Sequence, residues 1–194
     1  MNTSFEVAPK PSVGKSKASK PNKTIRRPMV YRLQKRHFLF YWLIPNIGAT
    51  VLLPFFFPPS SLEWTLLAVG WFATMLGVSV GFHRLFTHKA FQTFHWVESL
   101  LAVLGMMATG GSLLSWVATH RRHHERSDRE GDPHSPLGNP QLYRATFTDW
   151  CAGMLHAHAL WLHKHDYVNP LFYCRDLYQK RFLVNLSRHY GALS

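Results

Sequence analysis

Five histidines in two short clusters are the residues of this chain whose types and spacing point most directly to chemistry. His83 and His88 lie in HRLFTH, and His120, His123 and His124 lie in HRRHH. Neutral imidazole is the commonest nitrogen ligand for zinc, copper, iron and nickel. Helix positions i, i+3 and i+4 share one face, so the second cluster can donate to one or two ions. We therefore predict a metal site held by all five histidines.

The spacing of the first cluster sets a condition on its helix. Residues five apart lie about 140° apart on an ideal α-helix, at about 100° per residue. His83 and His88 can enter one site only if the helix bends, widens or ends between them. The end of an apolar run near Phe82 to Thr87 is a place where this could happen.

The ligand types favour iron over zinc. Structural zinc sites have four ligands and commonly use sulfur, and no cysteine lies near the histidines. Cys151 and Cys174 form neither a CxxC pair nor a disulfide framework, and we expect both to be reduced. Five histidines suit two iron ions better. Five further histidines, taken singly, are expected to be surface or hydrogen-bonded residues: His37, His95, His163, His165 and His189.

Two long uncharged runs precede the second cluster. Phe38 to Phe57 covers 20 residues and Trp64 to Phe82 covers 19 residues. Each spans about 30 Å as a helix, which matches a bilayer core. We predict a transmembrane hairpin at about 38–57 and 64–82, with kinks at Pro45 and Pro54. The alternative, two buried helices of a soluble protein, is disfavoured by the length of these bare runs.

The basic residues are concentrated in the first 36 positions. This segment holds ten Lys/Arg and a single acid, Glu6, and the loop between the apolar runs has no Lys or Arg. By the positive-inside rule, the N-terminus and everything from His83 onward face the cytoplasm. We predict that residues 1–36 form a disordered basic tail. Nucleic-acid binding is not expected, because no binding motif accompanies the charge.

A third uncharged run, Ser99 to Thr119, is also long enough to span. If it spanned, the two histidine clusters would lie on opposite sides of the membrane. The run breaks at TGGS (109–112), so we predict an interfacial or re-entrant helix. Residues 147–165 are too short and too histidine-rich to span, and residues 169–190 are expected to form a peripheral helix. The predicted fold class is an all-α integral membrane protein.

The two clusters resemble the first two histidine boxes of the membrane-bound fatty acid desaturases. SDREGDPHSP resembles the segment after the second box in the delta-9 branch, and HAHALWL resembles the family's His-x-Gly-Trp-Leu element, with Leu160 in place of glycine. The similarity runs from about Trp64 to Tyr190. WVATH looks more like bacterial members than like the animal acyl-CoA enzymes, which tend to carry an Arg-Asp pair where Ala118 and Thr119 stand.

This resemblance implies a function for residues 37–194 as the N-terminal part of a desaturase domain. It implies a di-iron centre held by the five histidines, O2 as oxidant, and a cis double bond, at the delta-9 position, as product. The histidines act as ligands, with no further catalytic residue identified. The implied partners are an acyl-CoA or acyl-lipid substrate, membrane lipid, and an electron donor of the ferredoxin or cytochrome b5 type.

One departure from the family's pattern is large. The family has a second transmembrane hairpin and a third box of the Asn-x-x-His-His type, and this chain ends before either. The expectation is a fragment of a longer protein or a truncated product, whose activity alone is doubtful. Three alternatives stay open: a hydroxylase or ketolase of the same histidine-box superfamily, a membrane haem protein with two histidines per haem, and a non-catalytic fragment.

The predicted topology can be tested with reporter fusions after Gly14, Ser61 and Gly138. The charge bias predicts cytoplasmic reporters at the first and third sites and an external reporter at the second. An external signal at Gly138 would contradict the placement of both boxes on the cytoplasmic side.

Overall fold

The computed structural model describes residues 21–136, 146–164 and 166–190, without the side chains of residues 162 and 164. The chain is mostly helical. In chain order its elements are β1 (Thr24–Ile25), α1 (Pro28–Phe56), α2 (Ser61–Thr87), α3 (His95–Met107), α4 (Leu113–Arg126), α5 (Phe147–Leu155), α6 (Trp161–Lys164), β2 (Tyr167–Val168), α7 (Pro170–Tyr173), α8 (Arg175–Tyr178) and α9 (Arg181–Arg188). A π-helical turn, His156–Leu160, joins α5 to α6.

Helices α1 and α2 are the two described helices that are long and apolar enough to cross a membrane. Their large side chains point outward; Phe55 is 82% exposed and Leu62 is 67% exposed. A helix that is apolar all round needs an apolar surrounding. The two predicted apolar helices are therefore confirmed, whereas their pairing as a transmembrane hairpin stays a prediction.

Helix α1 continues through both of its prolines. Each proline follows a widened π-helical turn, Phe38–Leu43 before Pro45 and Gly48–Leu52 before Pro54. Proline has no N–H and its ring crowds the carbonyl four residues back. The wider turns keep the backbone helical at these points. The kinks expected at Pro45 and Pro54 stay a prediction.

The buried core lies beside the histidine clusters. Side chains from α2, α3 and α4 form its centre, and the C-terminal segments cover it. Its largest fully buried members are Phe82, Met106, Leu113, Val117, Val168, Cys174 and Leu183. Helices α2 and α3 approach most closely where Gly77 faces Gly105. The cluster-bearing ends of α2 and α4 are thus packed on one common core.

The N-terminal basic segment is more ordered than its composition predicts. Strand β1 pairs antiparallel with β2, with Thr24 opposite Val168, so the fold is not purely α. Arg26 donates to Asp166 at 2.6 Å, and Lys23 forms an ion pair with Glu125. The prediction of a disordered tail is therefore wrong from Thr24 onward. The partners of this segment lie more than a hundred residues away in the sequence, so its own composition could not reveal them. Residues 1–20 of that prediction lie outside the described residues.

Two predictions about the later chain have different outcomes. The uncharged run does break at residues 109–112, between α3 and α4, where Thr109 and Gly111 have positive φ angles of 57° and 113°. The single peripheral helix expected at 169–190 is instead three short helices, α7 to α9. The Asn169 side chain begins α7 by accepting the Leu171 N–H at 3.0 Å.

The contact between α2 and α3 yields a stability prediction. A Cβ at Gly77 would lie 2.1 Å from the Gly105 nitrogen, so Gly77→Ala forces the two backbones apart. Overpacking of this kind costs about 1–3 kcal/mol. Gly70→Ala is the matched control, because a Cβ there meets nothing within 4 Å. Thermal unfolding in detergent should show a lower Tm for Gly77→Ala only; equal Tm values would contradict this close contact.

Candidate metal centre

Four histidines from two helices meet at one place. They are His83 and His88 from the end of α2, and His120 and His124 from α4. One ring nitrogen from each lies within 4.8 Å of all the others. The Nε2 atoms are 3.2 Å apart in the first pair and 3.1 Å apart in the second pair. Four nitrogens this close can all contact one ion, or divide between two.

The first pair shares a face because its helix widens. Residues Gly77–Thr87 form a π-helix, in which the His88 N–H donates to the His83 carbonyl at 3.1 Å. The Thr87 hydroxyl likewise donates five residues back, to the Phe82 carbonyl at 2.8 Å. A π-helix bonds residues five apart, so the i, i+5 histidines lie one above the other. The sequence required this helix to bend, widen or end between His83 and His88, and the structure shows that it widens.

The second pair is positioned by the packing of α4. Ser112 begins this helix by accepting the Ser115 N–H at 3.4 Å, and Leu113 and Val117 are fully buried. This places His120 and His124, four residues apart, on the side facing α2. The Trp116 ring stacks on the His120 ring, with centroids 4.7 Å apart and planes 19° apart. The Trp116 ring therefore supports one face of the His120 ring.

His123 lies beside the four-histidine group and outside it. Its Nδ1 is 2.8 Å and 2.9 Å from the two carboxylate oxygens of Asp132. Its ring stacks on that of His134 at a centroid distance of 4.0 Å. A carboxylate on one ring nitrogen is the usual way to orient a histidine whose other nitrogen binds a metal. The ligand role of His123 stays a prediction.

Asp132 and His134 are site residues that the sequence analysis missed. The Asp132 side chain is fully buried and also accepts the backbone N–H groups of Asp128 and His134, at 2.9 Å and 3.1 Å. Both residues lie in a segment whose Gly and Pro content predicted only a loop. The available signal was an acid and a histidine placed directly after the second cluster, in DPH.

The electrostatics of the site favour neutral imidazole. Burial, with the neighbouring His124, His83, His134 and His123 rings, lowers the pKa of His120 to about 3. Burial and nearby rings also lower the pKa values of His124 and His134. Burial alone would raise the pKa of Asp132, but the hydrogen bond from His123 and two backbone N–H groups lower it. Neutral imidazoles beside an ionised carboxylate match what metal ligation requires.

The four described histidines that were expected to lie outside the metal site do so. The side chain of His95 is 97% exposed and His189 contacts the Asn185 carbonyl at 2.8 Å. His37 stacks on Tyr41, and His163 stacks on Phe38. His165 lies outside the described residues. Cys151 and Cys174 are both free, as predicted.

The four arginines around the second cluster have different surroundings. The Arg121 guanidinium turns inward, to Asp176 and two backbone carbonyls. Arg122 donates to the Gly131 carbonyl at 3.0 Å. Arg126 and Arg129 are exposed. A solvated basic face therefore includes at most two of the four, Arg126 and Arg129.

A cavity of about 650 Å³ opens next to His120, on the far side of Trp116. It lies between the start of α1, the break at 109–112, the start of α4 and the end of α9. Its surface is mainly apolar. Its lining includes Val30, Leu33, His37, Gly110, Ser115, Trp116, Thr119, Trp161 and Tyr190.

Asp132→Asn should weaken metal binding while leaving the fold intact. The substitution keeps size and removes the charge that orients His123, and loss of such an outer partner costs about 10–100-fold in affinity. Asp128→Asn is the control, since Asp128 lies in the same loop, at a positive φ of 56° that Asn tolerates, and contacts no histidine through its side chain. Fe(II) affinity of the purified full-length protein, measured by chelator competition, should fall only for Asp132→Asn; equal affinities would remove Asp132 from the site.

Comparison with known proteins supplies the family. No protein-family model matches the chain. The chain is 43% identical over 171 residues to hex-5-enoyl-[acyl-carrier protein] acetylenase of Moorena producens. The match covers 87% of this chain and 53% of that protein. The chain is 44% identical over 98 residues to sn-1 stearoyl-lipid 9-desaturase of Anabaena variabilis, covering 48% of this chain and 35% of that protein.

A third relative extends the same picture. The sn-2 palmitoyl-lipid 9-desaturase of a Nostoc species is 33% identical over 139 residues, which is 71% of this chain and 42% of that protein. The chain thus spans about half the length, or less, of these relatives. The resemblance of its two histidine clusters, the meeting of those clusters in one site and these similarities agree: the chain belongs to the fatty acid desaturase family.

Proposed function

We propose that the protein is a membrane acyl desaturase that introduces a cis double bond, at the delta-9 position, into a saturated acyl chain. The observation that carries the proposal is the four-histidine group, in which two clusters 32 residues apart bring their ring nitrogens within 4.8 Å. Two of the relatives are named as 9-desaturases of stearoyl- and palmitoyl-lipid. An integral membrane location with the boxes on the cytoplasmic side is part of the same proposal.

The residues of the site fit iron. The donors are imidazoles, burial lowers the pKa of His120 among them, and the described residues place no thiolate beside them. When bound, two iron ions would supply the O2-dependent oxidising power that an unactivated methylene requires, since side-chain acid–base chemistry cannot remove its hydrogens. The balanced reaction takes two hydrogens from the chain with one O2, two electrons and two protons, and gives two waters. An electron donor of the ferredoxin or cytochrome b5 type would provide the electrons.

The protein's own contribution is to hold and align. His83, His88, His120 and His124 provide the ring nitrogens, and Asp132 orients His123. The cavity of about 650 Å³ beside Trp116 has the size and mainly apolar lining of a small-molecule site. An acyl chain lying there would be separated from His120 by the Trp116 ring, and the apolar lining would exclude water from the chain.

The acyl carrier is proposed to be a lipid. Ala118 and Thr119, where the animal acyl-CoA enzymes tend to carry Arg-Asp, are buried in α4 and bear no charge for a CoA phosphate. Lipid-linked chains also need not leave the membrane to reach a site at the end of α2. We therefore place acyl-lipid ahead of acyl-CoA among the expected substrates.

A second candidate function is an acetylenase reaction, which removes two hydrogens from an existing double bond and gives a triple bond. The observation that favours it is the extensive similarity to a hex-5-enoyl-[acyl-carrier protein] acetylenase, over 87% of this chain. In this alternative the acyl chain is carried by a protein thioester. Product analysis separates the candidates, because the desaturase makes an alkene from a saturated chain and the acetylenase requires an alkene.

Substitution of the α4 histidines should abolish the product. In a host without its own desaturase, with a reductase system supplied, the full-length protein is expected to yield a new monounsaturated fatty acid by gas chromatography. His120→Ala and His124→Ala should each lose it, because each removes a ring nitrogen from the group, while membrane insertion is unchanged. His95→Ala is the control, since its ring is solvent-exposed.

Two outcomes would contradict the proposal. Substantial product from either α4 variant would remove that histidine from the metal site. An oxygenated fatty acid as the wild-type product would identify a hydroxylase or ketolase instead.

A further inference from the structure

The Arg121 side chain makes several hydrogen bonds, and their partners are residues other than the four histidines of the group. Arg121 follows His120 in the chain, and its side chain is only 17% exposed. Its guanidinium donates to both carboxylate oxygens of Asp176, at 2.7 Å and 3.0 Å. It also donates to the carbonyls of Tyr173 and Phe86, each at 2.7 Å. One side chain on α4 therefore contacts the end of α2 and the C-terminal helices.

The contact with Phe86 is made within the first histidine cluster. Phe86 lies between His83 and His88, and α2 ends one residue later, at Thr87. The chain then turns sharply, with Lys89 at a positive φ of 52°. Carbonyls in the last turn of a helix have no partner along the helix and need one from outside. Arg121 provides that partner at the turn where the helix must be widened for the histidines to align.

Asp176 joins the two clusters a second time. It accepts from Arg121, which follows His120, and it forms an ion pair at 3.0 Å with Lys89, which follows His88. The side chains that follow one histidine of each pair, Lys89 and Arg121, therefore both contact the Asp176 carboxylate. Burial alone would raise the pKa of Asp176, but hydrogen bonds from Arg121 and Lys89 hold it well below its usual value.

This arrangement differs from an ordinary surface ion pair. Isolated exposed pairs contribute little, because each side chain is free and solvated. The Arg121–Asp176 pair is bidentate and partly buried, and the same guanidinium also donates to two backbone carbonyls. Without the Asp176 carboxylate, the largely buried Arg121 guanidinium lacks its counter-ion and must form other contacts. The Phe86 carbonyl then loses its fixed donor.

We propose that Arg121 and Asp176 are positioning residues that set the separation and orientation of the two histidine pairs. The inference rests on the proposed function only in that the four histidines hold a metal. Neither residue contacts the metal site itself. Their role is to hold the end of α2 against α4 so that both pairs face one centre.

The test compares Asp176→Asn with Glu98→Gln. Glu98 is a matched control, because it is a partly buried carboxylate, 14% exposed, that accepts from Lys180 at 2.6 Å and 2.8 Å. That pair also ties the C-terminal segment to the core, but neither of its residues adjoins a histidine of the group. A purely structural role predicts similar consequences for both variants.

Co(II) is the probe, added to the metal-free full-length protein in detergent. Its affinity and its visible d–d spectrum report ligand number and geometry without any need for turnover. We expect Asp176→Asn to bind Co(II) about 10–100-fold more weakly, as for other losses of outer partners, with an altered spectrum. Glu98→Gln should match wild type in both. Equal Co(II) affinity and spectrum for the two variants and wild type would overturn the proposal.

Arg121→Lys decides the matter if Asp176→Asn fails to fold. Lysine keeps the positive charge toward Asp176 but lacks the planar fork that reaches two carbonyls and a carboxylate together. Weaker Co(II) binding with an altered spectrum supports the positioning role, and wild-type behaviour overturns it. Failure of the proposed function is distinguishable, because wild type would then bind Co(II) normally and make no unsaturated product.

Discussion

The widened turn between His83 and His88 is the constraint on which the site depends. An α-helix would direct these two rings to different sides, and only the i→i+5 pattern of Gly77–Thr87 brings their Nε2 atoms to 3.2 Å. π-helical turns are rare because they are less favourable than α-helix, so the surroundings must hold this one. The close approach of Gly77 to Gly105 fixes one end, and the Arg121 contact to the Phe86 carbonyl fixes the other.

The same helix has to satisfy two environments. Along most of its length α2 exposes large apolar side chains, which suits a lipid surrounding, and only its last turns carry the histidines. Imidazole suits that boundary, because in its neutral form it can be partly buried without the cost of burying a charge. The low pKa of His120, at about 3, reflects this balance on the α4 side. The Arg121 guanidinium, next in the chain to His120, is neutralised by Asp176.

The features that could be predicted from sequence are those encoded locally. The two apolar helices, the break at 109–112 and the meeting of His83 and His88 with His120 and His124 follow from run length, glycine content and ligand type. The β1–β2 pairing, the burial of Asp132 and the Arg121–Asp176 contact could not be predicted in this way. Each depends on a partner that only the folded chain brings near, as with Arg26 and Asp166, 140 residues apart. Composition therefore described residues 24–36 as a tail, although long-range partners order them.

The relatives constrain where specificity resides. One is named as an acetylenase of a hex-5-enoyl-[acyl-carrier protein] and two as 9-desaturases of stearoyl- and palmitoyl-lipid, and their similarities cover 87%, 48% and 71% of this chain. Under the proposed function, a metal held by histidines supplies oxidising power and does not by itself select between such acyl chains. The choice of carbons must then come from what holds the acyl chain against the site. In this protein the Trp116 ring stacks on His120 and lines the adjacent cavity. Under the proposed function, the side chains around that cavity would therefore set which carbons reach the metal.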